Sequence, residues 1–126
     1  MKTWKILLVS LFLLLCVSSA VAEGIVTPMF VNIRSTQASL SISGSTASCI
    51  GGVWAYSSSS SCSMTMRLQK QNGSSWSTLV SWTSIGSGSA TRSETYTITA
   101  GTYRVNVSGY VDDEYYSATS STQTKY

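Results

Sequence analysis

Strict alternation of apolar and polar side chains is the feature that most limits what this chain can fold into. The clearest example lies between residues 62 and 70, where the apolar positions are Cys62, Met64, Met66 and Leu68. Successive side chains of a β-strand point to opposite faces, so this pattern predicts a strand with one buried face and one solvated face. No stretch of helical length has apolar residues that recur with the helical period of 3.6. The sequence therefore predicts an all-β fold.

Further segments of the same kind follow one another along the chain. They are residues 30–34, 38–43, 46–56, 76–82, 91–98, 102–111 and a polar edge strand over 115–126. We expect a flexible serine connection at 57–61, a glycine and serine loop at 85–89, and a bulge or close backbone approach at Gly51 and Gly52. Seven or eight short strands in about a hundred residues predict a two-sheet antiparallel β-sandwich of the immunoglobulin or fibronectin kind. Tyr103, which follows a turn at residues 100–101, is typical of a late strand in such sandwiches.

The N-terminus has the organisation of a signal peptide. Lys2 and Lys5 precede an apolar run over 6–17, and small residues lead to Ala22. This predicts cleavage before Glu23 and a secreted, extracellular single domain over 23–126. There are two competing interpretations. One is an uncleaved membrane anchor, but the apolar run is short for a membrane span. The other is a lipoprotein modified at Cys16, but the residue directly before that cysteine should be small and is leucine.

The charge of the secreted domain is nearly balanced. The chain has eight Lys and Arg residues and five Asp and Glu residues, but two of the lysines would leave with the signal peptide. The remaining net charge of +1 argues against a nucleic-acid ligand, which requires clustered cations. Nothing after the leader is apolar enough to enter a membrane.

Two cysteines remain after cleavage, Cys49 and Cys62. In an exported domain an even number of cysteines favours a disulfide, and this one would stabilise the fold by roughly 3 kcal/mol on the chain-entropy model. The alternative is a pair of buried free thiols. With no histidine and no third cysteine in the secreted part, a zinc site is not expected.

The sequence has few residues that serve acid–base or nucleophilic catalysis. Because histidine is absent, no Ser-His or Cys-His pair exists, and Glu94 lies among hydroxyl residues on a polar strand face. We therefore expect a protein that is not an enzyme and uses no cofactor. Asp112, Asp113 and Glu114 are a weak candidate for a calcium site, and the simpler interpretation is a solvated turn.

Aromatic residues are the best candidates for a ligand platform. The four that the pattern singles out are Trp54, Tyr56, Trp76 and Trp82. Flat aromatic faces stack against the apolar face of sugar rings, so an exposed row would bind carbohydrate. The alternative is that the tryptophans belong to the core of a domain otherwise short of large apolar residues.

Three groups of segments carry a family resemblance: 38–44 with 46–49, 64–70 with 73–76 and 81–82, and 101–105. Through them most of the secreted part resembles a family of small secreted single-domain proteins of unknown function from Gram-positive bacteria. The resemblance implies export and a bacterial source, and it implies no site residues. Together these observations predict a non-enzymatic extracellular domain that works by binding or by covering a surface, with a glycan or a cell-surface protein as candidate partners and no specific activity assigned. The rival functions are a carbohydrate-binding module and a secreted antimicrobial or toxin-like protein, and the latter would normally carry a cationic amphipathic segment.

Overall fold

A computed structural model describes residues 30–126, and the predicted signal peptide lies outside them. The chain forms eight strands and no helix within these residues, so no helix there could cross a membrane. The strands are β1 (Ile33–Ser43), β2 (Thr46–Ala55), β3 (Ser61–Asn72), β4 (Ser75–Ser87), β5 (Ser89–Thr97), β6 (Gly101–Val111), β7 (Glu114–Thr119) and β8 (Gln123–Lys125). The all-β prediction is confirmed.

The strands pair into two antiparallel sheets that pack face to face. One sheet has the order β1-β2-β5, and the other has the order β4-β3-β6-β7, with β8 also pairing β6. At the entry to β6 the Tyr103 hydroxyl donates to the Thr99 carbonyl over 2.7 Å, which is the tyrosine corner of immunoglobulin-like sandwiches. Strand order and corner together confirm the predicted sandwich.

The core lies between the two sheets and follows the predicted alternation. On β3 the inward residues Cys62, Met64, Met66 and Leu68 are all buried, and on β6 the same holds for Tyr103, Val105, Val107 and Val111. Gly51 is where the sheets approach closely, since a Cβ atom there would lie 2.8 Å from Val107 Cγ2 and 3.0 Å from Met66 Sδ. The predicted close approach at the glycine pair is therefore present, with a regular register through both residues.

Several predicted boundaries differ from those observed. The strands expected at 30–34 and 38–43 are one continuous strand, β1, which begins only at Ile33 and has a register shift between Ile33 and Ser35. The loop expected at 85–89 is mostly strand, because β4 runs to Ser87 and only Gly88, at a φ of 79°, turns the chain into β5. The edge strand expected over 115–126 is two strands, both paired with β6.

The serine connection between β2 and β3 is tied to the β4–β5 turn. Ser60 is buried, and its carbonyl accepts a hydrogen bond of 2.8 Å from the Gly88 N–H. The Ser87 hydroxyl donates to the Ser58 carbonyl over 2.8 Å. These contacts fix a segment whose composition predicts flexibility.

The predicted disulfide is absent, because Cys49 and Cys62 are both free buried thiols. Cys62 begins β3, close to the Ala55 end of β2, whereas Cys49 lies six residues before Ala55. At about 3.3 Å per residue this separates the cysteines by roughly 15–20 Å along the strands, and a disulfide requires Cα atoms less than about 7 Å apart. Both side chains face the core, but from its two ends.

Candidate functional site

The most distinctive feature of the three-stranded sheet's outer face is a tryptophan lying over a glycine. Trp54 points away from the core between the inward residues Val53 and Ala55. Its six-membered ring extends back along β2 over Gly52, where a Cβ atom would lie only 2.5 Å from the ring atom Cη2. The missing side chain of Gly52 thus makes room for the indole, and Trp54 is half-buried on the sheet surface.

A shallow depression of about 280 Å³ lies beside this indole. Its polar lining comes from the flanking strands, because Gln37 and Thr91 are the register partners of Gly52 on β1 and β5. Ser93 and the partly exposed Ile50 complete the wall that lies away from Trp54. With Arg92 also in its lining, the depression combines aromatic and aliphatic surface with amide, hydroxyl and cationic residues, and such a mixture is typical of a small-ligand site.

The other three aromatic candidates do not join Trp54 in one platform. Tyr56 follows the end of β2 and is 66% exposed, but it does not line the depression. Trp82 points inward opposite Met66 and packs against the core. Trp76 points outward on the five-stranded sheet, opposite Gln71.

A bulge in β4 explains why Trp76 and Trp82 face opposite sides. The register with β3 shifts between Leu68 and Gln69, and Leu79 is the extra residue on β4. A single inserted residue reverses the side-chain direction of the strand beyond it. Even-numbered residues of β4 therefore point inward after the bulge and outward before it.

The outer face of the five-stranded sheet contains exposed apolar side chains that the sequence analysis did not single out. Tyr110 and Tyr115 are 51% and 56% exposed and are register partners, with ring centroids 5.4 Å apart. Ile85, which is 82% exposed, lies in the same cross-strand row, separated from Tyr110 by Ser63. The alternation along β6 alone places Tyr110 outward beside the buried Val111. This alternation was the signal in the sequence from which the exposure of Tyr110 could be predicted.

Two arginines occupy the middle of this same face. Arg67 donates to the Ser108 hydroxyl over 2.9 Å. Arg104 donates from Nε to Gln69 Oε1 over 2.8 Å, and its guanidinium carbon lies 4.2 Å from the centre of the Trp76 ring. Each guanidinium has five N–H donors and uses one of them on these partners, so donors remain for a ligand.

The acidic turn serves the fold, and it does not form a metal site within residues 30–126. The Glu114 carboxylate accepts hydrogen bonds from three successive backbone N–H groups, those of Val31, Asn32 and Ile33, which tie the start of β1 to β7. The Val31 N–H makes the largest contribution to lowering the Glu114 pKa, and partial desolvation opposes it. The Asp112 carboxylate accepts from the Ser61 N–H over 3.0 Å, so these carboxylates bind different parts of the backbone.

The buried thiols are poor nucleophiles. Burial raises the pKa of Cys49 to about 11. Burial first and the Asp112 carboxylate second raise the pKa of Cys62, against an opposing effect of the Gly88 backbone N–H. Burial likewise raises the pKa of Tyr116, whose hydroxyl donates to the Ser63 carbonyl over 2.8 Å. Because only a thiolate attacks, neither cysteine is suited to catalysis.

Comparisons with known proteins return no match, whether with family models, curated proteins or solved structures. The resemblance to the Gram-positive secreted family accordingly stays a prediction, and the functional argument depends on the geometry of the two outer faces.

Proposed function

We propose that the protein is a secreted, non-enzymatic binding domain that holds a sugar ring against the Trp54 indole. The observation that carries the proposal is the position of this indole over Gly52, beside a depression that is also lined by Gln37, Thr91 and Ser93. An indole face buries the apolar face of a pyranose while the sugar hydroxyls remain at the rim. Gln37, Thr91 and Ser93 are placed to bond those hydroxyls.

The size of the depression favours a short ligand. Its volume of about 280 Å³ is near the lower end of ligand pockets, which begin at about 300 Å³. One sugar ring or the end of a glycan chain fits such a site better than an extended polymer. The ligand class is therefore a monosaccharide or a terminal sugar.

The environment of the acidic residues supports a binding role over a catalytic one. A glycosidase requires a carboxylic acid with a raised pKa close to a second carboxylate. The pKa of Glu114 is lowered instead, and Glu94 forms an ion pair with Arg92 over 3.3 Å. The sequence contains no histidine that could replace them.

A glycan array followed by titration calorimetry of the best binder tests the proposal. We expect Trp54→Ala to weaken binding by about 5- to 150-fold, since stacking of a nucleic-acid base on an aromatic side chain contributes about 1–3 kcal/mol and a sugar ring stacks in the same manner. Gly52→Ala should weaken it too, because the new methyl group displaces the indole from its place. Tyr56→Ala, which removes an exposed aromatic ring that does not line the depression, is the matched control and should bind normally.

Two results would overturn the proposal. One is the absence of binding across a broad array by the folded wild-type protein. The other is a folded Trp54→Ala variant that binds as tightly as the wild type. Thermal unfolding of each variant verifies that the fold is retained.

A further inference from the structure

The outer face of the five-stranded sheet has the properties of a second, independent binding surface. Its outward side chains form rows that run across the paired strands. In the rows between the one that contains Tyr110 and the one that contains Trp76, every paired residue is polar. These residues are Thr65, Arg67 and Gln69 on β3, Thr78, Ser81 and Thr83 on β4, Arg104, Asn106 and Ser108 on β6, and Ser117 and Thr119 on β7.

Aromatic groups lie at both ends of this polar face. Tyr110 and Tyr115 lie in the row of Ser63, and Trp76 lies in the row of Gln71. Eight residues of β3 separate those rows, so at about 3.3 Å per residue the aromatic ends are roughly 26 Å apart. That length accommodates several units of a linear polymer along β3, with exposed tyrosines at one end and the paired Trp76 and Arg104 side chains at the other.

The charge of this face has one sign. Arg67 and Arg104 are its cationic groups, and no outward position of β3, β4, β6, β7 or β8 in the paired registers carries a carboxylate. Within residues 30–126 the ion pair is formed by Arg92 and Glu94, not by these two arginines. A guanidinium with unused N–H donors recognises a carboxylate through paired hydrogen bonds.

We infer that this face binds a linear acidic polysaccharide, one whose sugar units carry carboxylates. The exposed Tyr110 and Tyr115 rings stack on a sugar ring, the hydroxyl and amide rows bond to sugar hydroxyls, and the two arginines, of which Arg104 is held over the Trp76 ring, bond to carboxylates. A peptide strand pairs through a sheet edge with its backbone. The side chains of the polar rows lie on the face of the sheet instead, and their hydroxyl and amide groups match a ligand that is rich in hydroxyl groups.

Titration of the protein with polygalacturonate, with a neutral glucan of similar length and with polyglutamate tests the inference. We expect binding to polygalacturonate that weakens as salt rises, little binding to the glucan, and weaker binding to polyglutamate, which has the charge without the sugar rings. The double variant Arg67→Gln with Arg104→Gln should lose at least tenfold in affinity. Arg34→Gln removes a positive charge from the exposed side of β1 and should change the affinity little.

The variant Tyr110→Ala separates stacking from charge, and we expect it also to weaken polygalacturonate binding. The inference is overturned if polygalacturonate does not bind, if polyglutamate binds equally well, or if Arg34→Gln weakens binding as much as the double variant. Trp54→Ala distinguishes the two faces, because polygalacturonate binding should survive it even where binding at the depression is lost.

Discussion

The residues on the inner and outer faces of the same strands are under different physical constraints, because only the inner ones are packed between the sheets. On β3 the inward residues Met64, Met66 and Leu68 are at most 2% exposed and fill the space between the sheets. The outward residues Thr65 and Arg67 alternate with them and are partly exposed, and Arg67 donates to Ser108 of the neighbouring strand. Stability therefore depends on one set of residues, while recognition is free to depend on the other.

A similar division separates the adjacent glycines of β2. An added side chain at Gly51 would meet Val107 and Met66 of the opposite sheet, whereas the atoms nearest to one at Gly52 belong to the Trp54 ring. Gly51 is required by packing, whereas Gly52 shapes a candidate binding site. One residue type in consecutive positions thus has two different physical roles.

The largest expected effect comes from truncating the inner face. Met66→Ala should lower the free energy of unfolding by about 2–5 kcal/mol, because it leaves a cavity between the sheets. Thr65→Ala, one residue away on the outer face, should change it by no more than about 0.5 kcal/mol. Urea unfolding measures both, and equal destabilisation by the two substitutions would contradict the division between faces.

The adjacent glycines provide the second test. Gly51→Ala should destabilise the protein by about 1–3 kcal/mol, since the new methyl group overpacks a contact between the sheets. Gly52→Ala should cost clearly less, because the end of the Trp54 side chain can move toward solvent. If Gly52→Ala proves the more destabilising of the two in urea unfolding, the indole is more firmly packed than the geometry indicates.

Local alternation was enough to predict the strands and their inward faces, including the buried residues of β3 and β6. It could not predict which residues of different strands become neighbours, since pairing register depends on distant parts of the chain. The Leu79 bulge shows the limit, because one inserted residue sends Trp76 and Trp82 to opposite faces. The cross-strand row of Ile85, Tyr110 and Tyr115 was hidden for the same reason.

The cysteine prediction failed for a related physical reason. An even number of cysteines in an exported domain predicts a disulfide. Whether the disulfide forms depends on where each cysteine lies along its strand. Cys49 and Cys62 face one core from opposite ends. Composition carries no information about that distance.

The free thiols give the third test of the inner face. Mass spectrometry without reductant should find no loss of two hydrogens, and a thiol reagent should label the protein only after unfolding. The double variant Cys49→Ala with Cys62→Ala should cost about 1 kcal/mol per site, as for a typical core truncation. Reductant should leave the unfolding midpoint of the wild type unchanged, whereas a midpoint that falls by the equivalent of roughly 3 kcal/mol would reveal a disulfide.

The smallest expected effect concerns the acidic turn, which lies outside the core and yet holds the start of β1. Backbone N–H groups lower the pKa of folded Glu114 below its ordinary value of 4.5. Its contribution to stability is therefore complete above that value and is lost as the pH falls through the lower pKa of the folded state. We expect Glu114→Gln to unfold at a lower temperature than the wild type at pH 7 and to show a smaller further loss on acidification. Asp113→Asn, at a neighbouring exposed position, is the matched control. If the unfolding temperature of Asp113→Asn changes as little on acidification as that of Glu114→Gln, the overall charge of the turn is responsible for the acid response. The three hydrogen bonds to Glu114 are then not its cause.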